Sequence, residues 1–274
     1  MYEHRLPPVL CPAYCGQDGE TMNVPQENNC VYLLNEMFDK DDNKDNDYKI
    51  LNLGMSGHFF EVTASNYEYI AEKYKDAKYI VIEMFDAKYS PEVLDDIIQN
   101  KFHEPMQKKG FVYETLQKVS FFRLMYKKLN ETRTDKNTSA EVVNIQNTDV
   151  DNEALMDSYI EKMSVILTEI AEISAQNDIV PIILMHERFW EDKDRNIVME
   201  TDEVYKKAFV ECCKERAIDV VDASVCMVEE YNNTSKLSYG FSNTVPGEGH
   251  LNKTGHRIVA ECVYKYINER EAQR

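Results

Sequence analysis

The chain has 274 residues, of which 43% are hydrophobic, so it can bury a sizeable core and is not of the disordered class. The 49 acidic residues outnumber the 31 basic ones and give a formal net charge of −18, which argues against a nucleic-acid or anionic-membrane surface. Seven cysteines without regular pairing do not indicate a disulfide framework, so we expect small buried thiols.

The sequence carries no sign of a membrane span or a bound cofactor. No apolar run reaches the length of a transmembrane helix, and no charged segment followed by an apolar one marks a leader. The cytoplasm and, if a leader or anchor has been removed, an extracytoplasmic location both stay open. No Gly-x-Gly-x-x-Gly follows a strand and no P-loop is present, so no cofactor is expected.

Strands and helices alternate through the first hundred residues. Buried strands are predicted from apolar runs at residues 8–16, 49–57 and 78–85. The three intervening helices carry start signals, which are Asn28 or Asn29, Thr63 or Ser65, and Ser90 followed by Pro91.

Residues 101–150 break this rhythm. A helical stretch is followed by a polar, unpatterned segment, and no strand is predicted in the region. The region is too short for a core of its own, so we expect an insertion in a single domain that spans residues 1–274.

The alternation resumes with a long helix. Its apolar positions recur at helical spacing from Met156 to Ile173. A strand at 178–186, a helix over 202–217 and a strand at 218–224 follow, and a final helix with one apolar face starts after Asn252.

Five buried strands separated by helices predict a doubly wound parallel α/β sheet. In such sheets ligands bind at the carboxyl ends of the strands. The candidate site residues are therefore those that follow each strand, namely 16–20, 56–58, 85–88, 186–188 and 222–224.

The loop "TVPGEGHLNKTGH" before the last helix presents His250 between glycines. Because the loop follows the last strand, His250 is expected on the carboxyl edge of the sheet. The flanking Gly247 and Gly249 would let its backbone approach other loops. Asn252, just before the helix, is expected to cap the helix or hold the loop. The alternative for His250 is a turn and a helix cap with a surface histidine.

At these residues the chain resembles the SGNH/GDSL hydrolase family. "GHLNKTGHRIVAE" is similar to the last conserved block of that family, "ILNLGMSG" to the second, and "CGQDGETMNVPQENNCVYLLNEMF" to the first block and its helix. The resemblance covers most of the chain outside residues 101–150. It implies a flavodoxin-like, three-layer α/β/α fold with about five parallel strands.

The resemblance also implies a chemistry, which is ester hydrolysis or acyl transfer on small esters or acetylated glycans. In that interpretation His250 is the general base, while Gly57 and Gly19 are oxyanion donors. Small-molecule or carbohydrate esters are then the expected partners, and no nucleic acid is expected.

The first block departs from the family pattern, because the nucleophilic serine of the family is absent from residues 16–21. Depending on the alignment, Asp18 or Gly19 takes its position. The oxyanion asparagine of the third block would fall near Ala87 and is also absent.

The acidic residue that the family places three positions before its histidine is also missing. The residue three positions before the histidine is Gly247, so Glu248 is the nearest carboxylate, and Asp222 at the end of the fifth strand is another.

Three groups remain as candidates for the missing nucleophile. Asp18 and His250 could together activate water, Ser56 could attack in the second glycine turn, and Cys15 lies beside the first block. The structural alternatives are a bracing loop aspartate, a serine bonded to its own turn and a buried thiol.

In addition to Ser56, two histidines are candidate substrate contacts. His58 follows the second glycine turn, and His186 ends the fourth strand, although His186 also fits a satisfied structural histidine. Phe189 and Trp190 either wall the cleft or cover the core. No metal-ligand spacing joins the histidines, so no metal is expected.

Two functions therefore stay open. The first is an SGNH-like hydrolase or acyltransferase with altered catalytic residues. The second is a catalytically impaired relative that keeps the cleft as a binding module.

Overall fold

The computed structural model describes residues 8–11, 24–40, 48–53, 60–102, 149–194, 196–200, 202–241 and 247–273, with the backbone alone at 8–11 and 149–152. Residues 1–103 and 155–274 form one compact unit, and residues 104–154 form another. Nearly all described residues belong to the first unit. The expected insertion at 101–150 within a single domain stays a prediction.

The described chain contains seven strands, which are β1 (Pro8–Cys11), β2 (Lys49–Asn52), β3 (Tyr79–Met84), β4 (Val180–Met185), β5 (Phe189–Glu191), β6 (Ile197–Met199) and β7 (Asp219–Asp222). Five of them form one sheet in the order β2-β1-β3-β4-β7, and every neighbouring pair is parallel. This order is that of flavodoxin-like folds.

The helices are α1 (Cys30–Asp39), α2 (Phe60–Ser65), α3 (Tyr67–Lys73), α4 (Pro91–Ile98), α5 (Asp149–Gln176), α6 (Glu203–Lys214), α7 (Ser224–Thr234) and α8 (Lys253–Glu271). The five helices from α2 through α6 pack on one face of the sheet in one buried cluster. Helices α1, α7 and α8 pack on the other face in a second cluster. The predicted three-layer α/β/α fold is confirmed.

Alternation along the strands decides which side chains enter which layer. In β3 Tyr79 and Val81 belong to the cluster with α1 and α8, while Ile80 and Ile82 belong to the opposite cluster. A strand covered on both faces is apolar along most of its length, which explains the nearly continuous apolar runs in the sequence.

The predicted helix starts are mostly confirmed. The side chain of Asn29 accepts a hydrogen bond from Val31 N, and that of Ser90 accepts one from Val93 N. The prediction for the second helix is wrong, because Thr63 and Ser65 lie inside α2 and are buried. The helical pattern there breaks at Asn66 into two short helices.

The hairpin β5–β6, helix α7 and a 3-10 turn at Gln26–Asn28 have no counterpart in the sequence prediction. The hairpin β5–β6 has strands of three residues, too short to show a period of two. Its turn is held by Asp192, whose Oδ1 accepts from the backbone of Asp194 and Asn196. Helix α7 shows no clear apolar face, because Met227 is buried while Val225 is 58% exposed.

The start of α8 lies unusually close to the segment 238–240. A Cβ added to Gly255 would clash with the backbone carbonyl oxygen of Ser238 and would lie 2.6 Å from Leu251 Cδ2. Tyr239 and Leu251 also form an antiparallel bridge. Glycine is therefore required at position 255 by a close approach of two backbones.

Gly255→Ala tests this approach. An alanine normally stabilises a helix by up to about 1 kcal/mol relative to glycine. Here the backbone oxygen of Ser238 must move, so we expect the free energy of unfolding to fall by about 2 kcal/mol. Urea unfolding monitored by circular dichroism measures the change.

Lys253→Ala is the matched control, since Lys253 lies in the first turn of the same helix and is exposed. Its effect should stay within about 0.5 kcal/mol. A Gly255→Ala variant as stable as the parent would contradict the close approach.

Candidate active site

The structure describes three of the eight predicted site residues. His186, Glu248 and His250 lie within the described ranges. Five others lie outside them, namely Asp18, Gly19, Ser56, Gly57 and His58, as does Cys15. The roles assigned to those residues stay predictions.

The His250 loop lies at the carboxyl edge of the sheet, beside the end of β4. The Cα of Gly247 faces the carbonyl oxygen of Phe189, which an added Cβ would meet at 3.5 Å. The backbone N–H of Gly240 donates to the carbonyl oxygen of His250 at 3.0 Å. His250 is half-buried and Glu248 is exposed.

The two glycines before His250 have left-handed backbone conformations. Their φ angles are +84° at Gly247 and +88° at Gly249. Side chains other than glycine rarely adopt these angles, so the glycines permit the turn that brings the loop to the edge of the sheet.

Asn252 fixes this loop in two directions. Its Oδ1 accepts from Thr254 N at 2.9 Å and from Gly255 N at 3.3 Å, which caps α8. Its Nδ2 donates to the carbonyl oxygens of Leu237, Tyr239 and Gly240 at 2.8, 3.2 and 3.2 Å. The sequence predicts that Asn252 caps the helix or holds the loop, and in the structure it does both.

A buried polar network lies directly beneath the loop. His186 Nδ1 is 2.5 Å from the hydroxyl of Tyr239, and His186 Nε2 is 2.5 Å from Glu83 Oε1. His186 is 3% and Tyr239 4% exposed. Both nitrogens of this histidine are therefore engaged inside the protein, and a contact between His186 and substrate stays a prediction.

Burial keeps the Tyr239 hydroxyl protonated. Burial, and next the charge of Glu83, raise the pKa of Tyr239 well above its usual value, so Tyr239 is a neutral phenol at ordinary pH. A neutral phenol can donate to or accept from Nδ1 of His186, so the tautomer of His186 sets the direction of its bonds to Tyr239 and Glu83.

Aromatic and charged side chains surround the network. The ring of Phe85 contacts His186 and Tyr239 edge-on, with centroid distances of 6.1 and 6.2 Å. The guanidinium of Arg188 lies 4.9 Å from the Phe85 ring centroid and pairs with both carboxylate oxygens of Glu200 at 2.5 Å. This arrangement places a cation–π contact at the edge of the site.

A second charged cluster occupies the opposite face at the ends of β4 and β7. Lys206 of α6 pairs with Glu187, which is 1% exposed, and with Asp222 at 2.8 Å. Burial lowers the pKa of Lys206, but hydrogen bonds to Asp222 and Glu187 outweigh it and raise that pKa. Asp222, a candidate partner for His250, is thus bound to Lys206 and also accepts from Ser224 N at 2.9 Å.

Three other predicted positions are described. Ala87, near which the resemblance predicts the family's oxyanion asparagine, is fully buried, and its carbonyl oxygen accepts from the hydroxyl of Tyr159 at 2.7 Å. Phe189 is buried against Tyr231 and covers the core, while Trp190 is 47% exposed. Only Trp190 of the predicted aromatic wall therefore has a largely accessible ring.

Two residues of the network were not singled out from the sequence. Glu83 is the one charged residue within the strand "YIVIEM", and a charge in a buried strand needs a partner. In the parallel register Glu83 faces Leu184, so His186 lies two residues further on the same face. The strand pattern could have indicated Glu83, whereas Tyr239 follows from the tertiary fold alone.

Among the residues that the structure describes, no group of three or more His, Cys, Asp or Glu side chains could hold a metal ion. In the same residues, no helix is both long and apolar enough to cross a membrane.

Three solved structures resemble the chain. The acetyl xylan esterase AlAXEase is 13% identical with a TM-score of 0.49, over 94% of this chain and 98% of that one. A protein from Parabacteroides merdae described as a GDSL-like lipase is 9% identical with a TM-score of 0.48, over 96% and 98%. A protein from Agrobacterium tumefaciens described as an arylesterase is 9% identical with a TM-score of 0.45, over 96% and 99%.

No protein-family model matches the chain, and no curated protein matches it. The three solved structures assign no residue role to this chain.

Lys206→Met tests the charged cluster at the ends of β4 and β7. The substitution leaves Glu187 buried without its cation, so we expect the free energy of unfolding at pH 7 to fall by about 3 kcal/mol. Because the folded pKa of Lys206 is raised, its stabilising contribution is complete at neutral pH and is lost only as the pH rises through that value.

Lys207→Met is the control, because the next residue carries the same charge but is exposed. Urea unfolding at pH 7 should show a change within about 0.5 kcal/mol for this variant. Equal effects of the two substitutions would argue that the cluster contributes nothing beyond net charge.

Proposed function

We propose that the chain is an SGNH-like ester hydrolase or acyltransferase whose active centre lies at the carboxyl edge of the sheet. The observation that carries the proposal is the position of the His250 loop, which lies at that edge beside the end of β4. In doubly wound sheets this edge is where ligands bind. Small esters or acetylated glycans are the proposed substrates.

In this proposal His250 is the general base. Imidazole is suited to the task because its ordinary pKa lies near neutral pH, so it can accept and return a proton. The acidic partner is Glu248, since Asp222 is paired with Lys206 and caps the turn at Ser224. Oxyanion donation by the backbone of Gly57 and Gly19 completes the proposal.

Two routes to the ester carbon are compatible with these residues. In the first, Asp18 and His250 deprotonate a water molecule, which attacks the carbonyl and leaves the acid and the alcohol as products. In the second, the hydroxyl of Ser56 attacks, releases the alcohol and forms an acyl-enzyme that water then hydrolyses. The two routes differ in whether an acyl group is ever bound to the protein.

The second candidate function is a binding module, and one observation favours it. The resemblance puts the third-block asparagine near Ala87, which has no side-chain hydrogen-bond donor and whose carbonyl oxygen accepts from the hydroxyl of Tyr159. Loss of one oxyanion donor typically lowers kcat by about 10²–10³-fold. A cleft that binds esters without cleaving them would fit this substitution.

Hydrolysis of p-nitrophenyl acetate by the purified protein separates the two candidates. We expect His250→Ala to lower kcat/KM by about 10²-fold or more, because general-base catalysis contributes about that much. Lys253→Ala changes an exposed residue three positions further and should match the parent. Equal rates for the parent and His250→Ala, both at the rate of buffer, would refute the hydrolase.

The route can be tested on an active preparation. Acid-quenched reactions are digested and searched by mass spectrometry for an acetyl group on the peptide that contains Ser56. An adduct that is lost in Ser56→Ala indicates the acyl-enzyme route. The absence of an adduct, with activity lost in Asp18→Asn and kept in Ser56→Ala, indicates direct attack by water.

A further inference from the structure

We propose that Glu83, His186 and Tyr239 are positioning residues that hold the His250 loop against the carboxyl edge of the sheet. The proposal rests on the proposed function only for the consequence in catalysis. The structural claim, that the three residues hold the loop in place, can be tested without any measurement of activity.

The network is a fixed anchor because His186 and Tyr239 are buried, Glu83 is partly buried, and His186 bonds to both of the others. Glu83 lies in β3 and His186 directly follows β4, the adjacent parallel strand, and such strands are among the most rigid parts of the fold. His186 joins Glu83 to Tyr239 through its two ring nitrogens at 2.5 Å each. Removing any member leaves a buried polar group unpaired, which costs about 1–3 kcal/mol.

Tyr239 transmits this anchor to the backbone of the His250 loop. It pairs with Leu251 in an antiparallel bridge, and the N–H of the next residue, Gly240, donates to the carbonyl of His250 at 3.0 Å. Asn252 donates to the carbonyl oxygens of Tyr239 and Gly240. His250 is therefore bracketed by contacts to residues that the network fixes.

The loop needs such an anchor because its own backbone is permissive. Gly247 and Gly249 restrict the chain less than any other residue would. A general base displaced by about 1 Å from its reacting position can lose about 10²-fold in rate. Positioning is thus the contribution that we assign to the network, and none of its three members contacts the reacting atoms in this proposal.

Tyr239→Phe is the sharpest test, since it removes one hydroxyl and keeps the ring packed on Phe85. Hydrogen–deuterium exchange is measured at the amide of Gly240, the donor to His250. We expect exchange at least tenfold faster than in the parent, because the local opening that breaks this bond becomes easier. Amides of α6, on the other face of the sheet, should keep the protection of the parent.

Tyr231→Phe is the matched control. Tyr231 also lies on the α1 and α8 side of the sheet, but its hydroxyl bonds to Glu191 of the hairpin and not to the network. Its exchange at Gly240 should match the parent. Glu83→Gln keeps an acceptor oxygen for His186 and should give a smaller acceleration than Glu83→Ala.

Kinetics on p-nitrophenyl acetate give the second readout. A positioning role predicts that Tyr239→Phe lowers kcat about tenfold and leaves KM within about twofold of the parent. Unchanged exchange at Gly240 in Tyr239→Phe would overturn the proposal. Faster exchange in a protein whose parent form cleaves no ester would support the anchor and refute the hydrolase, so the two failures are distinguishable.

Discussion

The segment 238–240 and the first turn of α8 approach each other so closely that only a glycine fits at position 255, and the place of the His250 loop follows from this contact. Asn252 fixes the contact from its other side by capping the helix and binding three carbonyl oxygens. Gly255 and Asn252, two residues of the segment that resembles the last family block, are therefore both required by the packing of the fold. The bond from Gly240 N to His250 uses the backbone carbonyl of His250, a group that every residue carries.

Strand alternation at the end of β4 distributes buried charge to both layers of the fold. His186 faces the layer of α1 and α8, where it meets Glu83 and Tyr239. The next residue, Glu187, faces the other layer and meets Lys206 of α6. His186 therefore joins the end of β4 to β3 and to the segment 238–240, while Glu187 joins it to α6, each through polar groups that are costly to separate.

The alternating strands and helices could be predicted from the sequence, because their burial imposes a regular spacing on apolar side chains such as Met163, Leu167 and Ile170. Three-residue strands are too short to show a period, so the hairpin could not be predicted. The bond between His186 and Tyr239 joins positions 53 apart and depends on the folded chain. The predicted position of His250 rested on chain order alone, and Asp18, Ser56 and Gly57 stay predictions outside the described residues.

The order of the sheet has a consequence for how such a chain can change over time. After β1 the chain continues to α1 on one face, and after β3 it continues to α4 on the other. When the chain leaves two adjacent strands towards opposite faces of a sheet, a crevice forms between the ends of those strands. The crevice results from the strand order and does not depend on which side chains line it. A lineage could therefore exchange a nucleophile in the crevice and retain a recess of the same shape, because the recess comes from topology and the chemistry from replaceable residues.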